Sequence, residues 1–289
     1  MSDPFLITGP AIISVSGGRT SGYMLWRILQ AHGGTLPQDV HAVFANTGRE
    51  MPATLDFVRD MQAHWGVPIT WVEYRRDAAG RAAFEVVNHN NASRDGEPFM
   101  HLLAPLAALP NPVARICTSE MKIRTIKRWG YTVMGHDTLP TQVIGLRADE
   151  PRRVERALDP ERQKRMGREY RNIALPLAAA GITVGDVARF WKAQPFDLML
   201  AGNWEGNCDG CFLKSRAAIV RMHADHPERM KWWAEIEAVP RGAVGRGRFF
   251  RKDREPYAKL AELVRSMPRL PFDETMIEGG EPCDAGCGI

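Results

Sequence analysis

The sequence predicts an α/β protein, a parallel twisted sheet flanked by helices with a cysteine-containing C-terminal extension. Three observations carry that expectation. Short β-branched runs at residues 11–15, 41–45 and 69–74 alternate with helix-period stretches at 21–32 and 54–65, and such alternation makes parallel sheets with right-handed crossovers. The first strand feeds directly into a loop with adjacent glycines that opens a helix. The apolar content, 44%, is that of a globular domain, and the length suits one large α/β domain or one domain with a smaller lobe.

Taken in order, AIISV gives the first strand, SGGRTS the loop, and Tyr23, Met24, Leu25, Ile28 and Leu29 the apolar face of the first helix. The second strand ends in Asn46-Thr47-Gly48-Arg49-Glu50. Residues 75–98 are polar and rich in Asn, Gly and Arg, and read as a loop or lid. Residues 141–146 read as a fourth strand and 172–175 as a short fifth. A helix is expected at 183–192, with Thr183 as N-cap and Val187, Phe190 and Trp191 on its apolar face. Another spans 215–238 and carries Trp232 and Trp233. From Pro240 the chain is rich in Gly, Arg and Pro and ends in a cysteine pair. The expected organisation is thus an α/β domain over 1–239 and a basic extension over 240–289 that folds back onto its site.

No stretch is long and apolar enough to cross a bilayer, and the N-terminus lacks the basic and apolar regions of a secretory signal. A cytoplasmic protein with no membrane partner is expected. The net charge is +4, with positive clusters at 147–156, 162–171 and 241–254, which suit either an anionic ligand or a solvated surface. Five cysteines, Cys117, Cys208, Cys211, Cys283 and Cys287, argue against a disulfide framework and for metal or redox chemistry.

The chemistry starts at the first loop. Ser16, Gly17, Gly18, Arg19, Thr20 and Ser21 join a strand to a helix N-terminus. Glycines let N–H groups approach a ligand, and the helix dipole favours an anion there. The spacing is neither G-x-x-x-x-G-K-S/T nor G-x-G-x-x-G. An ordinary strand–helix turn remains the plain alternative. Asn46, Thr47, Gly48 and Glu50 are placed either to contact a nucleotide or to cap the next helix. Arg147, after the fourth strand, is placed to clamp a phosphate or sulfate with Asp149 or Glu150 orienting it, or to form a surface ion pair. Cys208-Asp209-Gly210-Cys211 is a C-x-x-C able to hold one iron or zinc from a single turn. Cys117 lies at an expected helix start between Arg115 and Lys122, which favour a thiolate. Three thiolates with Cys283 or Cys287 make a four-cysteine set. A rival set, Cys208, Cys211, His223 and His226, approximates a zinc pattern, with a histidine spacing shorter than usual.

The loop resembles the S-G-G-x-x-S loop of PP-loop enzymes, many of which carry Asp where this chain has Thr20. Taken with VFANTGRE, RICTSEMKIRTIKRW, VIGLRADE, PFDLML and GNCDGCFLKS in that order, nearly the whole chain resembles the phosphoadenosine-phosphosulfate-reductase family, in particular its bacterial and phage-type members. The resemblance implies a PP-loop fold of the adenine-nucleotide α-hydrolase type, with an adenine nucleotide at residues 16–21 beside Asn46–Glu50 and Arg147. In related adenylylsulfate reductases a cysteine pair and a later C-x-x-C bind a 4Fe–4S cluster. Here the pair is reduced to Cys117 after Ile116, so Cys117, Cys208, Cys211 and Cys283 are the expected ligands, or an open iron site remains. Sulfonucleotide reductases carry a nucleophilic cysteine in a C-terminal E-C-G-I/L-H tail, and this chain keeps Cys287-Gly288-Ile289.

The expected function is an iron–sulfur enzyme that reduces a sulfonucleotide or performs a related sulfur transfer, with Cys287, Lys122 and Arg147 catalytic. A thioredoxin-like reductant or a sulfur donor is the expected partner. Thiolation of a nucleic acid or metabolite by an ATP-pyrophosphatase-type sulfurtransferase, a structural zinc, and a nucleotide-binding regulator without turnover are the alternatives.

Overall fold

The computed structural model describes residues 3–166, 172–241 and 248–266. Its frame is a sheet of six strands: β1 (Ala11–Val15), β2 (Val40–Asn46), β3 (Ile69–Arg76), β4 (Ala82–Val87), β5 (Thr141–Val143) and β6 (Ile173–Ala174). The spatial order is β4-β3-β2-β1-β5-β6. All pairings are parallel except β3 with β4, so the α/β class stands with one antiparallel edge strand added.

Strand alternation sorts side chains to two faces. Ala11, Ile13 and Val15 face the larger core, against α1 (Arg19–Ala31), α2 (Pro52–Trp65) and a later helix. Ile12 faces the other way and joins Val43, Ala45 and Val72 under Ile126 and Trp129. A short helix, α3 (Glu97–Leu103), precedes a π-helix over Cys117–Arg124, which runs into α4 (Thr125–Met134) on that second face. After β5 come α5 (Pro151–Leu158), α6 (Pro160–Met166) and α7 (Pro176–Ala179). The next helix, α8 (Val184–Lys192), starts with a capping box of Thr183 and Asp186, as the N-cap expectation required. It packs on α1 where Gly22 has no side chain: a Cβ there would lie 2.8 Å from both Trp191 and Met61. Trp191 Nε1 donates to the Arg19 carbonyl at 2.8 Å, so this contact sets the start of α1.

A second core gathers α3, Met121 of the π-helix, α9 (Arg216–Asp225), α10 (Pro227–Ala238) and α11 (Tyr257–Ser266) around Phe99, Phe212, Trp233 and Phe250. Tyr257 and Leu260 of α11 are buried in it.

Three expectations need correction. Residues 75–98 are not a loop throughout, because β4 pairs with β3 from Trp71–Val87 to Arg76–Ala82. Its alternation is hidden by a polar setting and by an edge position that leaves Val86 exposed. The stretch 215–238 is two helices, since Pro227 offers no N–H and holds His226 out of the helical region at φ −136°. The fourth strand stops at Val143, although Ile144 N–H still donates to Ala174 at 3.0 Å.

Candidate functional site

The chain leaves β1 towards β2 on one side, while β5 lies on the other. Loops at the carboxyl ends of β1 and β5 therefore diverge and leave a crevice, the usual ligand position of an open α/β sheet. Residues 16–21 and Arg147 flank it.

The first loop is set by Gly17 and Ser21. Gly17 has φ +76°, and a Cβ there would stand 2.5 Å from Thr54 Cγ2, so both conformation and space exclude a side chain. Buried Ser21 Oγ accepts from Ser16 N–H and donates to Gly18 O, each at 3.0 Å, and lies 3.0 Å from Ser16 Oγ. Helix α1 starts at Arg19 with Gly18 as N-cap and no side-chain cap. Ser16 and Arg19 are exposed and Thr20 is half-buried. Arg19 turns to the side, pairing with Asp197 through Nε (2.7 Å) and Nη2 (2.8 Å) and donating to Leu198 O.

Arg147 reaches across the crevice. Its Nη1 donates to Thr20 Oγ1 at 3.0 Å, and its Nε to Asp149 Oδ1 at 2.9 Å. Glu150 Oε2 receives the Arg147 N–H at 3.0 Å and lies 3.5 Å from Nη1. Asp149 also accepts from Val184 N–H at 2.9 Å. Burial opposes its charge, but Val184 N–H and Arg147 together hold its carboxyl below the usual range. The guanidinium is thus fixed before any ligand arrives.

The loop after β2 is built differently. Asn46 is fully buried, and its amide donates to Glu73 Oε1 (2.5 Å) and Ser93 O (2.9 Å) and accepts from Gly48 N–H (3.0 Å). Thr47 donates through N–H and Oγ1 to Glu50 Oε2, at 2.9 and 2.8 Å. Its Oγ1 lies 3.3 Å from Cys208 Sγ. Lys122 Nζ is 3.7 Å from Glu50 Oε1. The polar side chains of this loop are turned into the protein.

That loop is locked to the C-x-x-C turn. Glu50 and Cys208 form an antiparallel bridge, and Asp209 N–H donates to Arg49 O at 2.8 Å. Asp209 is completely buried, with Arg49 Nη2 at 2.6 Å, Arg229 Nε at 2.8 Å and Trp233 Nε1 at 2.7 Å. Arg49 lies over the Trp232 ring, 4.9 Å from its centroid. Tyr257 donates its hydroxyl to Gly210 O at 2.6 Å. Burial pushes the Cys208 thiol well up, Glu50 adds to the shift and Lys122 opposes it.

Cys211 N–H donates to Cys208 O at 3.1 Å, so the two cysteines share one tight turn. Cys117 opens the π-helix and borders the same apolar cluster as Cys208. As soft thiols in an apolar wall these suit an iron or zinc ion in kind. In number they are incomplete, since among the described residues no three His, Cys, Asp or Glu side chains gather as a metal-binding group. The rival zinc set is not assembled either: His226 Nε2 is 2.5 Å from Glu205 Oε1, and His223 is buried near Tyr257. Cys283 and Cys287 lie outside the described residues.

Sequence reasoning passed over Asp209, Asp197 and Glu73. Glu73 had a local signal, a carboxylate inside an apolar strand. It also passed over the uncovered face of β1 and β5, where Ser14 and Gln142 line a pocket with Lys122 and Tyr131.

No helix among the described residues is long and apolar enough to cross a membrane. No family model matches the chain. The uncharacterized nin region protein ORF290 of Escherichia phage lambda is 30% identical over 214 residues, a match covering 72% of this chain and 67% of that protein. By that identity and coverage, the chain belongs to the family of the lambda nin region protein ORF290.

Proposed function

We propose that this protein is a cytoplasmic PP-loop enzyme that binds an adenine nucleotide at the crevice between β1 and β5 and carries out sulfur chemistry on it. The reading rests on one observation, the 3.0 Å contact between Arg147 and Thr20, which joins the two loops at the carboxyl ends of neighbouring strands. Phosphate or sulfate oxygens take the N–H groups opening α1 and the Ser16 and Thr20 hydroxyls. Arg147, aligned by Asp149 and Glu150, neutralises the charge that develops there.

Cys208 and Cys211, with Cys117 and Cys283, are the residues that would hold a 4Fe–4S cluster. When bound, such a cluster would supply iron-held sulfur chemistry. Lys122 brings positive charge to Glu50 beneath the turn, and Cys287 is the proposed nucleophile. In sulfonucleotide reduction the Cys287 thiolate takes the sulfonyl group and the adenosine phosphate leaves; a dithiol of the thioredoxin type then releases that group from Cys287 as sulfite and is itself oxidised to a disulfide.

Oxygen-free protein tests this reading directly. It is expected to be brown, with thiolate-to-iron absorbance near ~400 nm, and to contain iron with acid-labile sulfide. Incubation with phosphoadenosine phosphosulfate or adenylylsulfate and a dithiol should release sulfite. Colourless protein lacking iron overturns the cluster. Release of pyrophosphate or AMP from ATP without sulfite from either sulfonucleotide replaces reduction by ATP-driven thiolation.

A further inference from the structure

We propose that the outer edge of β4 is the docking surface for a second copy of this chain. The two β4 strands pair antiparallel about a two-fold axis at Phe84.

The two edges of the sheet are built differently. β6 is only Ile173 and Ala174, and so short an edge strand is a poor template for a partner. β4 offers six residues, AAFEVV, and among the described residues its one partner strand is β3. Edges are ordinarily protected by proline, lysine, a bulge or an inward-pointing charge. β4 has neither proline nor lysine. Its pairing with β3 runs without a bulge from Trp71–Val87 to Arg76–Ala82. Its one charge, on Glu85, is taken up by Arg75 Nε at 2.8 Å.

Strand alternation makes one face of this edge apolar. Ala82, Phe84 and Val86 share a face. Phe84 packs against the cluster of Val72, Ile126 and Trp129 beneath α4. Val86 stands opposite Val72 on β3, yet it is 54% exposed. α4 packs on both β3 and β4, and its Val133 is exposed as well. The core under α4 thus runs out at an apolar margin with unpaired backbone groups beside it.

A two-fold axis at Phe84 makes this margin complementary to itself. On the apolar face Phe84 meets Phe84 of the other copy, and Ala82 meets Val86 twice, small against large. On the opposite face Glu85 meets Ala83. Other registers fit worse. An axis at Glu85 sets two carboxylates against each other, which is unfavourable. An axis at Ala83 leaves Val86 opposite Gly80 of the hairpin turn, uncovered. A one-residue slip turns the two apolar faces to opposite sides of the sheet. Charge and volume therefore select one register, in which two six-stranded sheets continue into each other.

Sedimentation velocity of the full chain over a dilution series reads the oligomer. The wild type is expected to sediment as a dimer that dissociates on dilution. Val86→Lys, at an exposed position, and Ala82→Glu should each weaken dimerisation about tenfold, because each substitution acts twice across a two-fold interface. Mixed in equal amounts, the two variants set a lysine opposite a glutamate, and the mixture should recover dimer that neither forms alone. Thermal unfolding midpoints identify any loss of fold, and Val86→Lys carries the test by itself if Ala82→Glu unfolds. A wild type that is monomeric at every concentration overturns the proposal. A dimer indifferent to Val86→Lys overturns it too, since the contact then lies on another face. Two folded monomeric variants whose mixture stays monomeric overturn the register about Phe84.

Discussion

Two loops in this protein begin alike and end differently. Each follows a central strand, and each contains a glycine at φ +76°, Gly17 after β1 and Gly48 after β2. Around Gly48 the turn is closed: Asn46 is held by Glu73, Ser93 O and Gly48 N–H, Thr47 by Glu50, and Arg49 is buried against Asp209. Around Gly17 the turn is open: Ser16 faces solvent and α1 begins without a side-chain cap. Left-handed glycine thus marks where a chain turns sharply, and the neighbouring side chains decide whether that turn binds the protein or a ligand. The closed turn is the structural one, fixing Cys208, while the open turn is the one with donors to offer.

The sharpest way to break this contrast is to damage each loop separately. Asp209→Ala leaves buried Arg49 and half-buried Arg229 without their carboxylate, and breaking a buried pair costs roughly 3–5 kcal/mol. Denaturant unfolding should show a loss of that size. A change under 1 kcal/mol would mean that the clamp carries no more than a surface ion pair. Arg147→Ala should do the opposite, leaving the unfolding midpoint close to wild type while weakening anion binding by about 1.5–3 kcal/mol, read by pyrophosphate titration. A variant that loses stability and keeps its affinity would make Arg147 a structural arginine.

A pH series sharpens the comparison at the second core. Burial, aided by the charge of Arg265, holds His223 down to about 4 from an ordinary 6.5. The unfolded chain then binds more protons between those values, so His223 contributes stability above pH 6.5 that is lost as pH falls towards 4. The thermal midpoint should decline across that window, and His223→Leu should flatten the decline. An unchanged slope would place the acid sensitivity elsewhere. The smallest effect is expected at the capping box, where Asp186→Ala should lower the unfolding midpoint slightly by removing the carboxylate that accepts from Thr183. No loss on denaturant unfolding would show that α8 is held by Trp191 alone.

What the sequence disclosed follows from how local each signal is. β1, β2 and β3 were legible because their apolar runs exceed anything beside them. The partners of Arg147 were legible because Asp149 and Glu150 follow it directly. The clamp was not, since Arg49 and Asp209 are 160 positions apart, and a long-range ion pair leaves no trace in either neighbourhood. The roles of Asn46 and Thr47 stayed ambiguous because the same groups that cap a turn also contact a ligand; Glu73 and Ser93, both distant in sequence, engage Asn46. The π-helix carries no pattern of its own, and its first residue, Cys117, was legible only as a helix start. The uncovered strip of β1 was invisible because AIISV reads like any buried strand, and only the placement of α4 leaves Ser14 accessible.

The account stands on the open loop being an anion site completed by Arg147. Its most direct test is titration of inorganic pyrophosphate into the wild type and Arg147→Ala, with unfolding midpoints measured alongside. Saturable binding that is lost in a variant of unchanged stability is the predicted result. No binding to the wild type, or equal binding to both proteins, would contradict it.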